Sequence, residues 1–187
     1  MKAKQKSYPN VTFIWKYEEP DDALFTGIDN LIPSKWTPQS CLLADKRLTL
    51  FITHGGAGSM MESALRAKPL VVVPLFGDQT RNAKLIEKFG YGILLEKARL
   101  LNSNVLHSAV DRILTDSKYQ VAADRISRLL SRRPFSPEAK LVKTVEMAAE
   151  FGDIPELKWA IFIVNSAFEL TENSSQQLIA TFTSHEP

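Results

Sequence analysis

Cysteine is nearly missing from this chain. Cys41 is the only one in 187 residues, so an internal disulfide framework is excluded and the redox compartment stays open. Neither sign of charge dominates. The 23 Lys and Arg against 21 Asp and Glu leave a formal net charge of +2, too small to call for a nucleic-acid partner. Arg125, Arg128, Arg132 and Arg133 do cluster, but on a helical pattern where a solvated face accounts for them. Long hydrophobic runs are also lacking. Trp159 to Val164 falls far short of the roughly 20 residues a membrane helix needs. Lys2, Lys4 and Lys6 lead into a strand pattern with no apolar signal-peptide core, so the expectation is a soluble chain.

Several catalytic signatures are missing too. There is no Gly-Lys-Ser/Thr, which excludes an NTPase P-loop. Ser59 lies in no Gly-x-Ser-x-Gly elbow, which disfavours a hydrolase. His107 and His185 have no partners at ligand spacing, so no metal site is expected.

What remains is an ordinary globular mix, 44% apolar and 24% charged, long enough for one domain with a tail. The informative stretch is Leu48 to Gln79. An apolar run, Leu48 to Thr53, ends at His54, then Gly55, Gly56 and Gly58 precede a helical pattern opening at Ser59. A strand feeding a glycine-rich turn into a helix N-terminus favours an anion, typically a phosphate. A second strand, Leu70 to Val73, delivers Pro74 to Gln79 to the same edge of a parallel sheet, where ligands bind in open α/β folds.

The remaining elements alternate. Val11 to Tyr17 reads as a buried strand, Leu31 to Trp36 as a short one, and Gln39 to Ala44 as a helical turn. Gly58 to Ala67 and Thr80 to Phe89 read as helices, and Gly92 to Leu95 as a fifth strand. Helices are then expected from Asn102 or Ser103, from Tyr119 to Ser131, and from Ser136-Pro137 to about Phe151. Thr171 to Pro187 is polar and reads as loose. The fold expected is a Rossmann-like, doubly wound parallel α/β sheet with C-terminal helices. A dinucleotide Rossmann domain is excluded, because its glycines would follow the first strand rather than the third.

Taken alone, each candidate residue has two readings. His54 is either a core histidine or a phosphate ligand, Trp36 either packing or a stacking plate. Asp78-Gln79 could cap the next helix, bind a ligand, or both. Glu62 could be a first-turn acid favoured by the helix dipole or a ligand-binding acid.

Several ordered motifs carry a resemblance. FIWKYE at Phe13 to Glu18, SKWTPQ at Ser34 to Gln39, LLAD at Leu42 to Asp45, FITHGGAGSMMESA at Phe51 to Ala64, PLFGDQTRNA at Pro74 to Ala83 and RPFSPEAKLVKTVE at Arg133 to Glu146 resemble the UDP-glycosyltransferase family. The likeness is to animal UDP-glucuronosyltransferases of nematode type and covers residues 8 to 158. It implies the donor-binding, C-terminal half of a GT-B glycosyltransferase, with the N-terminal acceptor domain absent and residues 159 to 187 a divergent tail.

The resemblance also implies roles. Trp36 stacks on uracil, the backbone of Thr37 reads the uracil edge, and Gln39 contacts the nucleoside. His54, Ser59 and the amides around Gly56 to Ser59 hold the diphosphate. Glu62 accepts from the ribose hydroxyls, and Asp78 and Gln79 bind the sugar. Many relatives carry Asn at the position of Gly58, so only a main-chain contact is expected there. Family activity is inverting transfer of glucuronic acid or a hexose from a UDP-sugar to a small lipophilic acceptor. UDP-glucuronic acid or UDP-glucose is thus a co-substrate, and no separate cofactor is implied. The general base is a histidine of the N-terminal domain, so no catalytic residue and no turnover are expected of this chain alone. The alternative is a non-catalytic short isoform that binds a full-length relative. Family members reside in the endoplasmic-reticulum membrane, whereas residues after Lys158 do not resemble their membrane-spanning continuation.

Overall fold

The structure is a computed structural model that describes residues 8–152 and 180–183. Strands β1 (Val11–Lys16) and β2 (Leu31–Ser34) are joined through a single 3-10 turn, Ala23–Phe25. Helix α1 (Gln39–Ala44) leads to β3 (Leu48–Thr53), α2 (Ala57–Leu65) to β4 (Leu70–Val72), and α3 (Gln79–Lys88) to β5 (Gly92–Leu94). A 3-10 turn at Lys97–Leu101 precedes α4 (Ser103–Thr115), α5 (Lys118–Ser131) and α6 (Pro137–Phe151). A last strand, β6, is Ala180–Thr183.

The sheet order is β2-β1-β6-β3-β4-β5. β1 pairs with β2, β3 with β4, and β4 with β5, all parallel. Both faces are covered, which is why the central strands read as unbroken apolar runs. Leu70 and Val72 pack with Ala64, Ala83, Ile86 and Ala123 on one face. Val71 points the other way and joins Leu50, Ile52, Ile93, Val110 and Ile113. Leu48 and Phe51 share a face despite their odd spacing, because the β3 register shifts between Leu48 and Leu50.

One departure from expectation is substantial. The loose tail instead supplies β6, which lies between β1 and β3 and runs antiparallel to both. Without it, β1 and β3 would each present an unpaired row of backbone groups in the middle of the sheet. Ala-Thr-Phe-Thr has the β-prone composition to fill that gap, yet four residues are too few for a periodic signal. The doubly wound sheet is therefore mixed. The rest of the stretch from 159 to 187 lies outside the described residues.

Strand order reverses between β1 and β3, so the carboxyl ends of β1, β2, β3 and β4 face one crevice, the switch-point position for a ligand. Among the described residues, no helix is long and apolar enough to cross a membrane.

Candidate functional site

The site grows from the end of β3. Thr53 is buried, and its Oγ1 accepts from the Gly55 amide at 3.4 Å. Gly55 then takes φ +87°, a left-handed conformation in which a Cβ would also sit 2.6 Å from Cγ1 of Val72. Only glycine turns the chain there. At Gly56 the constraint is His54 itself. A Cβ would lie 2.6 Å from His54 Nε2, so the missing side chain lets the imidazole fold against the turn.

Gly56 is also the N-cap of α2 and contributes no side-chain cap bond. The first-turn amides of Ala57 and Gly58 have no carbonyl one turn earlier in the helix to bond. No acid stands in that first turn. Unbalanced donors and the positive end of the dipole together make an anion cradle. Space around Gly58 is open, with nothing within 4 Å of a built Cβ.

His54 is buried, which pushes its pKa below the usual histidine value, while the charge of Asp78 works in the opposite direction. A neutral imidazole at neutral pH offers one N–H to an anion at the turn.

Glu62 lies beyond the first turn of α2, so the helix dipole does not explain it. Its Oε2 accepts from Ser40 Oγ at 2.8 Å, which joins the start of α1 to the middle of α2. Gln39, the first residue of α1, has its Oε1 buried with no hydrogen-bond partner among the described residues. Just before it, Trp36 is 70% exposed in the loop after β2, and its carbonyl accepts from Ser34 Oγ at 2.6 Å. A ring so exposed is not core packing. Thr37 is half-buried beside it.

The loop after β4 closes the other side. Asp78 is the N-cap of α3 by position but makes no side-chain cap bond. Its Oδ2 accepts instead from Asn82 Nδ2 at 2.6 Å, and the same nitrogen donates to the Gly55 carbonyl at 3.0 Å. Gln79 is buried, and its Oε1 accepts from the amides of Leu75 and Phe76 at 2.8 and 3.1 Å. Its side-chain carbonyl oxygen is thus committed to holding the loop.

The geometry therefore groups the residues read from the sequence into two linked sets. Gln39 is linked to Glu62 through its chain neighbour Ser40, with Trp36 and Thr37 in the loop just before it. His54, Gly56, Gly58 and Ser59 adjoin Asp78 and Gln79 through Gly55 and Asn82. Ser40 and Asn82 lie outside the set read from the sequence. Asn82 stands four residues after Asp78 on a helix, a spacing that places the two side chains together. Nothing in sequence spacing joins Ser40 to Glu62. Among the described residues, no three His, Cys, Asp or Glu side chains converge on a possible metal position.

Comparison with known proteins identifies the family and the fold. The family profile for UDP-glucoronosyl and UDP-glucosyl transferase matches residues 5–151. A Caenorhabditis elegans protein provisionally named UDP-glucuronosyltransferase ugt-48 is 33% identical over 157 residues, covering 83% of this chain and 30% of its own length. Human UDP-glucuronosyltransferase 3A2 is 39% identical over 129 residues, covering 68% of this chain and 24% of its own length. Among solved structures, glycosyltransferase VinC in complex with DTDP superposes with a TM-score of 0.59 at 22% identity, over 66% of this chain and 30% of that protein. That likeness shows the fold, the GT-B glycosyltransferase architecture. The chain spans no more than 30% of the length of any of these three proteins.

Proposed function

The chain belongs to the UDP-glucoronosyl and UDP-glucosyl transferase family, and from that premise we propose that it is a donor-binding unit for a UDP-sugar. The observation that supports this most is the glycine turn. It presents first-turn amides and His54 at a sheet edge beside the loop bearing Asp78, and an exposed indole stands in the loop after β2. Each part of a UDP-sugar has a chemically suited group. Trp36 offers a flat apolar face to uracil. Thr37 and Gln39 read the nucleoside, and Glu62 accepts from the ribose hydroxyls. His54, Ser59 and the amides from Gly56 to Ser59 meet the diphosphate. Asp78 and the amide nitrogen of Gln79 face the sugar.

In the family reaction an acceptor hydroxyl displaces UDP at C1, and negative charge gathers on the departing β-phosphate. Amides held by a rigid turn stabilise that charge without reorganising, which is how preorganised donors lower a barrier. The step also needs a base at the acceptor hydroxyl. His54 lies on the diphosphate side, and His107 is engaged with Tyr8, their rings 5.1 Å apart. Of the two described histidines, one is thus given to the diphosphate and the other to Tyr8, so the described residues bind donor and the base comes from outside them. UDP-glucuronic acid and UDP-glucose are the donors to compare, and the acceptor is a small lipophilic alcohol.

Titration calorimetry with UDP tests the reading. The 187-residue chain should release heat on binding, and Trp36→Ala or His54→Ala should each reduce affinity. No heat from a folded chain would overturn it. A second reading, a non-catalytic partner of full-length relatives, draws on α6. Leu141, Val142 and Val145 stand exposed along that helix, an apolar stripe that such an association would bury. Co-purification with a full-length relative, lost on Val142→Glu, would support that alternative.

A further inference from the structure

Asn82 is a buried polar side chain with no place in the donor contacts above. It stands one helical turn into α3, and its single amide nitrogen serves two different loops. One hydrogen bond goes to the carbonyl of Gly55 at 3.0 Å, the other to Asp78 Oδ2 at 2.6 Å. Gly55 belongs to the turn that faces the diphosphate, and Asp78 to the loop that faces the sugar. These loops follow different strands, β3 and β4, and so need a tie between them.

The chemistry of the tie is specific. An uncharged amide NH2 provides two donors from one atom. An ionised Asp in its place could donate neither bond and would repel Asp78. Ser would offer one donor from a shorter stem. Asp78, at a helix N-cap position, would ordinarily turn its carboxylate back onto first-turn amides. It makes no such bond. The bond from Asn82 holds it elsewhere, and through Oδ2, so that Oδ1 is not the oxygen engaged by Asn82.

We propose that Asn82 is a positioning residue that ties the sugar-facing carboxylate of Asp78 to the glycine turn, fixing the distance between the sugar end and the diphosphate end of the site. The proposal rests on the donor-site reading given above. It predicts that Asn82 discriminates between ligands with and without a sugar. UDP engages the turn and needs Asp78 little, whereas UDP-glucose needs both ends in register.

Calorimetry with UDP and UDP-glucose on wild type, Asn82→Ala, Asp78→Ala and the double variant tests this. A bond to a charged group carries enough free energy for Asn82→Ala to weaken UDP-glucose by about tenfold, with UDP weakened by about threefold or less. In the Asp78→Ala background, Asn82→Ala should add no further selective loss. If Asn82→Ala fails to fold, Asn82→Asp keeps the volume and should give the same selective loss. A readout without ligand is the titration of His54 by NMR. The charge of Asp78 acts on that imidazole, so releasing the carboxylate to water in Asn82→Ala should lower its pKa. Equal weakening of both ligands, additivity with Asp78→Ala, or an unmoved His54 titration would overturn the positioning role while leaving the donor site intact. Failure of the wild type to bind either ligand would instead remove the donor-site reading, and this proposal with it.

Discussion

Replacing Gly55 by Ala is the sharpest structural perturbation. Two costs add. A φ of +87° places an L-residue in left-handed territory, at roughly 1–2 kcal/mol. The new methyl would also meet Val72 Cγ1 at 2.6 Å in a fully buried strand, and overpacking of this kind costs about 1–3 kcal/mol. Urea unfolding should therefore show Gly55→Ala less stable by about 2–5 kcal/mol. The two costs can be separated. Val72→Ala removes the Cγ1 that clashes but leaves the backbone strain, so in that background Gly55→Ala should cost only the left-handed term, roughly 1–2 kcal/mol. A loss below about 0.5 kcal/mol, smaller than the left-handed penalty alone, would mean that residue 55 does not adopt this turn. Full additivity of the two substitutions would refute the contact with Val72.

Three further outcomes follow from the site. Gly58 lies in the first turn of α2 with open space around it, so Gly58→Ala should raise stability by about 0.5 kcal/mol in thermal unfolding and leave UDP affinity unchanged. The folded pKa of His54 is depressed, so its neutral form supports the fold. That contribution is complete above its unfolded value of about 6.5 and is lost as pH falls through the folded value. A bound diphosphate favours the protonated ring, so UDP-glucose should bind roughly threefold tighter at acidic than at neutral pH, and His54→Gln should flatten the profile. Ser40→Ala frees the Glu62 carboxylate and should weaken UDP by about threefold to tenfold, and 2′-deoxy-UDP, which keeps only the 3′ hydroxyl, by less; equal loss for both nucleotides would refute its link to the ribose.

How much of this was legible beforehand depended on the range of the interactions. β3 runs from Leu48 to Thr53 as its apolar pattern indicates, because both faces of a central strand are buried. Helix starts shifted by one residue where a cap decided them: Gly56 caps α2, so Ala57 rather than Gly58 begins it. β2 stops at Ser34, short of Trp36, as Ser34 Oγ reaches forward to the Trp36 carbonyl and releases the indole to the surface. Trp36, His54 and Asp78 could be proposed from sequence because their chemistry sits in local motifs. The carbonyl of Gln79 turned back onto Leu75 and Phe76 could not be read, since a loop's donors appear only when it is folded. The same holds for β6, whose place is set by the unpaired edges of β1 and β3 far from it in sequence.

The most direct test of the nucleotide-sugar pocket is an NMR titration of the uniformly 15N-labelled chain with UDP. Large, saturable shifts are expected for the amides of Gly56 to Ser59 together with the Trp36 indole N–H, and none at the surface cavity lined by Arg99 and Arg112. Shifts confined to that cavity, or a silent glycine turn at saturating UDP, would contradict it.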